Sequence, residues 1–335
     1  MSAWWLCLVV LVSLVLTAGL RRYAMARSLI DVPNMRSSHS VPTPRGGGVS
    51  IVLSFLLSLA VLAVFGSEDP SVLIALGGAG ALIAILGFMD DHDLVSVRWR
   101  LVAHFVAAGW LLGWLGGIPP LVVFGLPLDL GWIGVLLGVF YLVWMLNLYN
   151  FMDGIDGIAS VEAITVCLGM CLLYMLGGAT HLSVLALLLS MSVAGFLYWN
   201  FPPARIFMGD AGSGFLGIIL GGMSLQAAWS SQQFFWCWLI MLGGFIVDAT
   251  FTLLRRLCRG DTVYVAHRSH AYQFAAREYG QHLPVTLAMA GLNVCWLLPV
   301  AVCVVLLDLD GALGVLIAYV PLVALALRYR AGALE

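Results

Sequence analysis

GWIGVLLGVFYLVWMLNLYNFMDGIDGIASVEAITVCLGMCLLYML, residues 131–176, holds two apolar runs joined by a polar hinge. The runs, 131–149 and 158–176, each have roughly the 17–25 residues a helix needs to cross a bilayer. Leaving Asp153 and Asp156 unpaired in hydrocarbon would cost about 2.5–3.5 kcal/mol each. The hinge must therefore stand in water, coordinate a ligand, or both.

Similar apolar runs recur outward from this pair, at 3–20, 47–66, 71–89, 101–116, 182–199, 212–229, 234–254, 284–306 and 311–327. The 335-residue chain is 62% hydrophobic and only 10% charged, with a mean hydropathy of +1.03. A soluble surface needs far more charge. The expected fold is all-α: a polytopic membrane bundle of about 11 transmembrane helices. One domain over 1–335 is expected, its active site built from loops. Arg21 and Arg22 follow the first run instead of preceding it, and no small-residue cleavage site is evident, so a retained helix is expected there and not a signal peptide.

No lysine occurs; the 15 basic residues are all arginine. They fall in 21–45, 98–100, 205, 255–277 and 328–330, which are alternate connections plus the final tail. The other connections carry Glu68, Asp69, Asp129, Asp308 and Asp310 and no arginine. The positive-inside rule then puts the arginine side in the cytoplasm, the N-terminus outside and the C-terminus inside. The seven cysteines show no CxxC pairing and none lies in an outer loop, so they read as packing residues.

The chemistry collects on the arginine side, in five segments. DVPNMRSSHSVPTPRGGG (31–48) is a turn-rich loop carrying Arg36, His39 and Arg45, and its glycines permit close backbone approach. FMDDHDLVSVRWR (88–100) places Asp90, Asp91 and Asp93 together, a crowding tolerable beside a divalent cation or a cationic partner. In the hinge, Asn147, Asn150, Asp153 and Asp156 offer oxygen ligands suited to magnesium, with Asn150 and Asp153 on one face if the helix continues.

NFPPARIFMGDAGSGFLG (200–217) supplies Arg205, Phe207 and Asp210 before a glycine-rich helix start, where free N–H groups suit phosphate. It lacks the lysine and spacing of a Walker A loop. RRLCRGDTVYVAHRSHAYQFAARE (255–278) sets His267, Arg268 and His270 ahead of Tyr272 and Gln273, a cationic, hydrogen-bonding pocket for phosphate or sugar and too few ligands for zinc. Together these segments read as a magnesium–diphosphate site at the inner membrane surface.

In order along the chain, HSVPTPRGGG (39–48), the Asp90–Asp91 pair, NLYNFMDGIDG (147–157), FPPARIFMGDAGS (201–213) and HRSHAYQ (267–273) resemble the motifs of the polyprenyl-phosphate N-acetylhexosamine-1-phosphate transferases. The likeness covers most of the chain and is greatest to the bacterial O-antigen-initiating branch, through HRSHAYQ and DDH…RWRL. It implies transfer of a sugar 1-phosphate from a UDP-N-acetylhexosamine to undecaprenyl phosphate, with UMP released. It also implies Mg2+ as cofactor (Mn2+ as substitute), a multi-pass protein of the bacterial inner membrane, a cytoplasmic active site and a role in lipopolysaccharide synthesis. No nucleic acid is implied, and homodimerisation stays open.

Carried over by residue, the resemblance makes Asn150 and Asp210 metal and diphosphate ligands. Asp90, Asp91, Asp153 and Asp156 become catalytic carboxylates, and His39, Arg45, Asn147, Arg205, Phe207, His267, Arg268 and His270 substrate contacts. Phe207 is expected against the uracil. Asp93 falls outside the pattern. A phosphate with second pKa near 6 is largely dianionic at pH 7, which leaves open whether Asp90 is a base or positions phosphate.

The competing reading is a transporter or flippase, for which Glu162 and Asp248 would be intramembrane ion sites. A transporter needs polar groups near the midplane, whereas here nearly all gather at one face. The sugar, among FucNAc, QuiNAc, GalNAc and GlcNAc types, is not fixed by the residues.

Overall fold

The computed structural model describes residues 3–33, 39, 41–66, 68–92, 94–262 and 267–334. Arg36 and Asp93 lie outside the described residues. Each expected apolar run coincides with helix. These are α1 (Ala3–Ala26), α2 (Val49–Phe65), α3 (Pro70–Asp90), α4 (Val97–Leu115), α5 (Gly131–Met152), α6 (Ile158–Leu176), α7 (Ser183–Asn200) and α8 (Asp210–Ser230). They continue with α9 (Gln232–Met241), α10 (Gly243–Arg259), α11 (Ala271–Tyr279), α12 (Leu283–Leu292), α13 (Leu298–Leu306) and α14 (Gly311–Arg328).

Among the described residues, 8 helices are long and apolar enough to cross a membrane, or up to 9 when the bent pair α9–α10 is one span. Helix α2, at 17 residues, is apolar but short, and α4 carries Arg98 and Arg100 in its first turn. The chain is a multi-pass helical membrane protein. Its only described strands are two short hairpins, β1 (Ile30–Asp31) with β2 (Thr43–Pro44) and β3 (Leu121–Val123) with β4 (Leu126–Leu128).

Helix α8 is the axis of the bundle. It packs on α3 and α5, and its residues from Ala211 to Leu225 are all buried. Small residues allow this: a Cβ on Gly48 would lie 2.5 Å from Gly212 Cα, so α2 and α8 touch backbone to backbone at their starts.

Two expected spans are interrupted. The run 234–254 breaks at Leu242, where α9 and α10 meet at 67°. Gly243 and Gly244 follow the break, with the side chains of Tyr319 and Met289 closing on them. A glycine pair holds a helix weakly, and packing then sets the kink. The run 284–306 contains a π-helical turn at Asn293–Leu297, just before Pro299, which has no N–H to give.

The hinge also differs from expectation. Helix α5 stops at Met152, and Asp153 has φ −88°, ψ 48°, so Asn150 and Asp153 do not share a continuing helical face. Glycines at 154 and 157 make continuation expensive. The loop instead brings Asp153 and Asp156 to the cavity that Asp91 and Asp210 also line.

Candidate active site

The polar segments converge at one end of the bundle, where α3 and α5 finish and α2, α6 and α8 begin. Backbone pairing docks the first loop on the fourth. Phe207 N–H donates to Pro44 O (2.8 Å), while Gly47 and Gly48 donate to the carbonyls of Phe207 (2.9 Å) and Met208 (2.8 Å). Asn200, absent from the expected site, ties this region to the hinge. Its Oδ1 accepts from Gly157 N (3.0 Å) and its Nδ2 donates to Ile206 O (3.0 Å).

The glycine-rich start of α8 does not offer free N–H groups as expected. Asp91 Oδ1 accepts from Asp210 N (3.2 Å), so a carboxylate from α3 caps α8 across the bundle. Arg45 donates to the Asp91 carbonyl. Asp91 Oδ2 is buried and accepts no hydrogen bond among the described residues. Asn150 Nδ2 donates to Asp210 Oδ1 (3.1 Å), and the Asp210 carboxyl also neighbours those of Asp91 and Asp90. Asp90 itself is paired with Arg100 at 2.6 Å.

Crowding shows in the titration of the loop carboxyls. Burial pushes Asp91 above the usual carboxylate range, against the pull of the Asp210 N–H and Arg45. Burial also raises Asp153 well above it, reinforced by Asp210, Asp91 and Asp156. Both groups therefore keep a proton to higher pH folded than unfolded. Stability from that source is present at low pH and is lost as pH rises above the ordinary range and through the raised values.

No three His, Cys, Asp or Glu side chains among the described residues form a ready metal cage. The donor set still fits magnesium. It is all oxygen, it includes the unpartnered Asp91 Oδ2, and Mg2+ is ordinarily held by one or two carboxylates plus substrate phosphates.

Two cavities meet at this cluster. The first, about 410 Å³, is lined by His39, Arg45, Asp91, Asp153, Asp156 and Phe207. It adjoins a lateral recess that shares His39, Asp156 and Phe207. The second, about 460 Å³, runs between α4, α5 and the histidine loop, lined by Arg100, His104, Asn147, Phe151, His267 and His270. Asn150, Gly154, Asp210 and Gln273 border both.

Residues missed in the sequence define much of this geometry. His282 sits 3.2 Å from Asp156 Oδ1, and Asp156 Oδ2 accepts from Ala204 N (3.0 Å). Arg100 and His104 enter the second cavity from α4. Only Arg100 carried a signal, in the RWR that closes the acidic segment.

Two expected contacts are not brought in. Arg205 stacks on Tyr198 (4.8 Å) and Trp199 (5.1 Å) at the end of α7 and lines neither cavity. Arg268, whose carbonyl accepts from Arg277 (3.0 Å), lines neither as well.

The histidine loop is held by Asp248. Its carboxylate on α10 accepts from Ala271 N (2.9 Å), Tyr272 N (3.0 Å) and Thr252 Oγ1 (3.2 Å), capping α11 from another helix. Tyr272 in turn donates to Phe151 O (2.9 Å), linking loop and hinge. Replacing Asp248 by alanine strands buried N–H groups. It is expected to cost about 2–3 kcal/mol, with asparagine recovering part, as thermal unfolding in detergent would show. Glu162 is likewise engaged: its Oε2 accepts from Asn293 Nδ2 (2.7 Å) on the π-helical turn.

A profile for glycosyl transferase family 4 matches residues 73–228. A Bacillus subtilis protein named "probable undecaprenyl-phosphate N-acetylglucosaminyl 1-phosphate transferase" is 29% identical over 266 residues, covering 77% of this chain and 73% of the relative. The undecaprenyl-phosphate alpha-N-acetylglucosaminyl 1-phosphate transferase of Thermotoga maritima is 26% identical over 274 residues, 81% of each chain. The phospho-N-acetylmuramoyl-pentapeptide-transferase of Moorella thermoacetica is 34% identical over 200 residues, 55% of this chain and 61% of that one. Motif order, converging loops and these likenesses agree: the chain matches glycosyl transferase family 4 over residues 73–228 and is similar along most of its length to polyprenyl-phosphate N-acetylhexosamine-1-phosphate transferases.

Proposed function

We propose that this protein transfers an N-acetylhexosamine 1-phosphate from a UDP-sugar to undecaprenyl phosphate at the cytoplasmic face of the bacterial inner membrane, releasing UMP. This is the first membrane step of O-antigen or a related surface polysaccharide. The observation that carries the reading is the pair of cavities bordered in common by Asn150, Gly154, Asp210 and Gln273. A transfer between two bulky substrates needs two approaches to one point.

The sugar nucleotide takes the first cavity, with the base against Phe207 near Asp156 and the diphosphate toward Arg45 and Asp210. The lipid takes the second, which opens beside the exposed apolar residues Leu101, Val102 and Val106 of α4. Its phosphate meets Arg100. A lipid phosphate oxygen attacks the β-phosphorus, the bond from that phosphorus to the bridging oxygen breaks, and UMP leaves. Catalysis is alignment and charge neutralisation. Mg2+ held by Asp210, Asn150 and Asp91 supplies the neutralisation when bound. Because Arg100 pairs with Asp90, that carboxylate suits a positioning role better than a proton-accepting one.

Against the transporter reading, Asp248 accepts three hydrogen bonds, Glu162 holds Asn293 through Oε2 with Oε1 unpaired among the described residues, and neither lines the two cavities.

The test is UMP release by the purified protein in detergent with undecaprenyl phosphate, Mg2+ and a panel of UDP-N-acetylhexosamines. Release should require lipid and metal and stop with EDTA. Magnesium should also raise the melting temperature more as pH rises, because it relieves carboxyls that deprotonate against their burial. UMP formed equally well without lipid, or in EDTA, would sink the proposal.

A further inference from the structure

The segment that follows α14 folds back under the histidine loop. Gly332 N–H donates to Ser269 O (2.6 Å). The carbonyls of Ala331 and Gly332 accept from Arg255 Nη1 (3.0 Å) and Arg259 Nη1 (2.7 Å), at the end of α10. Ala331 is fully buried, packed with Ala271 and Ala326 beside Phe251 and Tyr329. Gly332 has φ +71°, and a Cβ there would lie 3.0 Å from Thr252 O, so the backbone makes its approach only as glycine.

These bonds lead to an imidazole. Ser269 N (3.3 Å) and Ser269 Oγ (2.8 Å) both contact His267 Nδ1. A backbone N–H can only donate, so Nδ1 is the acceptor and the ring proton sits on Nε2. His267 lines the second cavity.

We infer that residues 330–333, clamped by Arg255 and Arg259, are positioning residues of the candidate active site: through Ser269 they hold His267 as a neutral Nε2–H donor in the second cavity, for an oxygen of the lipid phosphate. This rests on the transferase reading for its substrate, but not for its geometry. Burial lowers the His267 pKa to about 3, helped by His270 and Arg256, so the ring stays neutral at any working pH. An uncharged donor distinguishes this contact from the arginines nearby. It rewards a correctly placed oxygen and does not bind any anion indiscriminately.

The experiment compares the parent with a chain ending at Tyr329, a chain ending at Ala333, Arg259→Ala and Arg259→Lys. Long-range ¹H–¹⁵N spectra of histidine-labelled protein report the His267 tautomer, assigned with His267→Gln. UMP release reports the two KM values and kcat. In the parent, His267 should show a bare Nδ1 and a protonated Nε2. In the chain ending at Tyr329 and in Arg259→Ala, that signal should move toward mixed tautomers, and KM for undecaprenyl phosphate should rise about tenfold with the UDP-sugar KM and kcat unchanged. Arg259→Lys keeps one donor and should recover most of the effect, and the chain ending at Ala333 should match the parent.

An unchanged His267 signal in the chain ending at Tyr329 overturns the inference. So does a loss in which melting temperature, kcat and both KM values move together, since the segment would then only stabilise the fold. A parent that releases no UMP with any donor counts against the transferase reading alone, and the imidazole spectrum still decides the positioning role.

Discussion

Replacing Asp210 by asparagine is expected to lower turnover about 1,000-fold while the bundle stays folded. Asp210 stands where both cavities meet, and its Oδ1 already accepts from Asn150 Nδ2. The substitution removes the charge that would bind a cation and sets two amides face to face. It also takes one carboxyl out of a cluster containing Asp90 and Asp91. Like charges in one site oppose each other, so the variant should melt no lower than the parent without metal and should lose its stabilisation by magnesium. Turnover within tenfold of the parent would remove Asp210 from the reaction. A fall in melting temperature of the metal-free protein would make it a structural residue.

The second large effect comes from a residue with no side chain. Gly87, in the last turn of α3, faces the start of α8 so closely that a Cβ would lie 2.5 Å from Asp210 C and from Ala211 N. Both are backbone atoms of the most buried helix, so they cannot swing aside as a side-chain tip would. Gly87→Ala must push the end of α3 away from α8 and loosen the cap from Asp91 to Asp210. Overpacking of this kind costs about 1–3 kcal/mol. A displacement near 1 Å among reacting groups costs about 100-fold in rate. The matched control is Gly77→Ala on the same helix, whose Cβ would meet only Leu59 Cδ1 at 3.8 Å. Gly77→Ala should keep parental turnover and stability, and equal behaviour of the two variants would show that the α3–α8 contact does not set the site.

Much of the molecule was legible in one dimension. Membrane helices are written as apolar runs because lipid demands internally satisfied backbone and apolar side chains over a fixed length. That rule found every long helix. The motifs likewise showed which loops carry oxygen ligands, since a residue's chemistry travels with its identity. Asn150, Asp153, Asp156, Asp91, Asp210, Arg45, His39 and Phe207 do gather around one cavity.

Contacts between helices left little trace. Asp248 reads in the sequence as a structural ion pair or hydrogen bond near Arg255 and Arg256, whereas its partners are N–H groups 23 and 24 residues later, brought to it by the start of α11. Asp91 read as one of an acidic pair, yet the two neighbours separate, one to Arg100 and the other to the start of α8. His282 had no motif around it, and Asn200 opened the fourth segment with nothing to mark it as a tie to the hinge. Arg205 had a motif, and it stacked on the aromatics of α7 instead.

The sequence by itself determined the class of the protein, the helices and the loops rich in chemistry, because hydrophobicity, helix breaking and ligand type are properties of single residues and short runs. Tertiary structure decided which carboxylate caps a helix, which pairs with arginine and which stays open to a ligand. Those outcomes depend on distances between residues far apart in the chain, and hydrogen bonds and ion pairs are made or lost over a few ångströms.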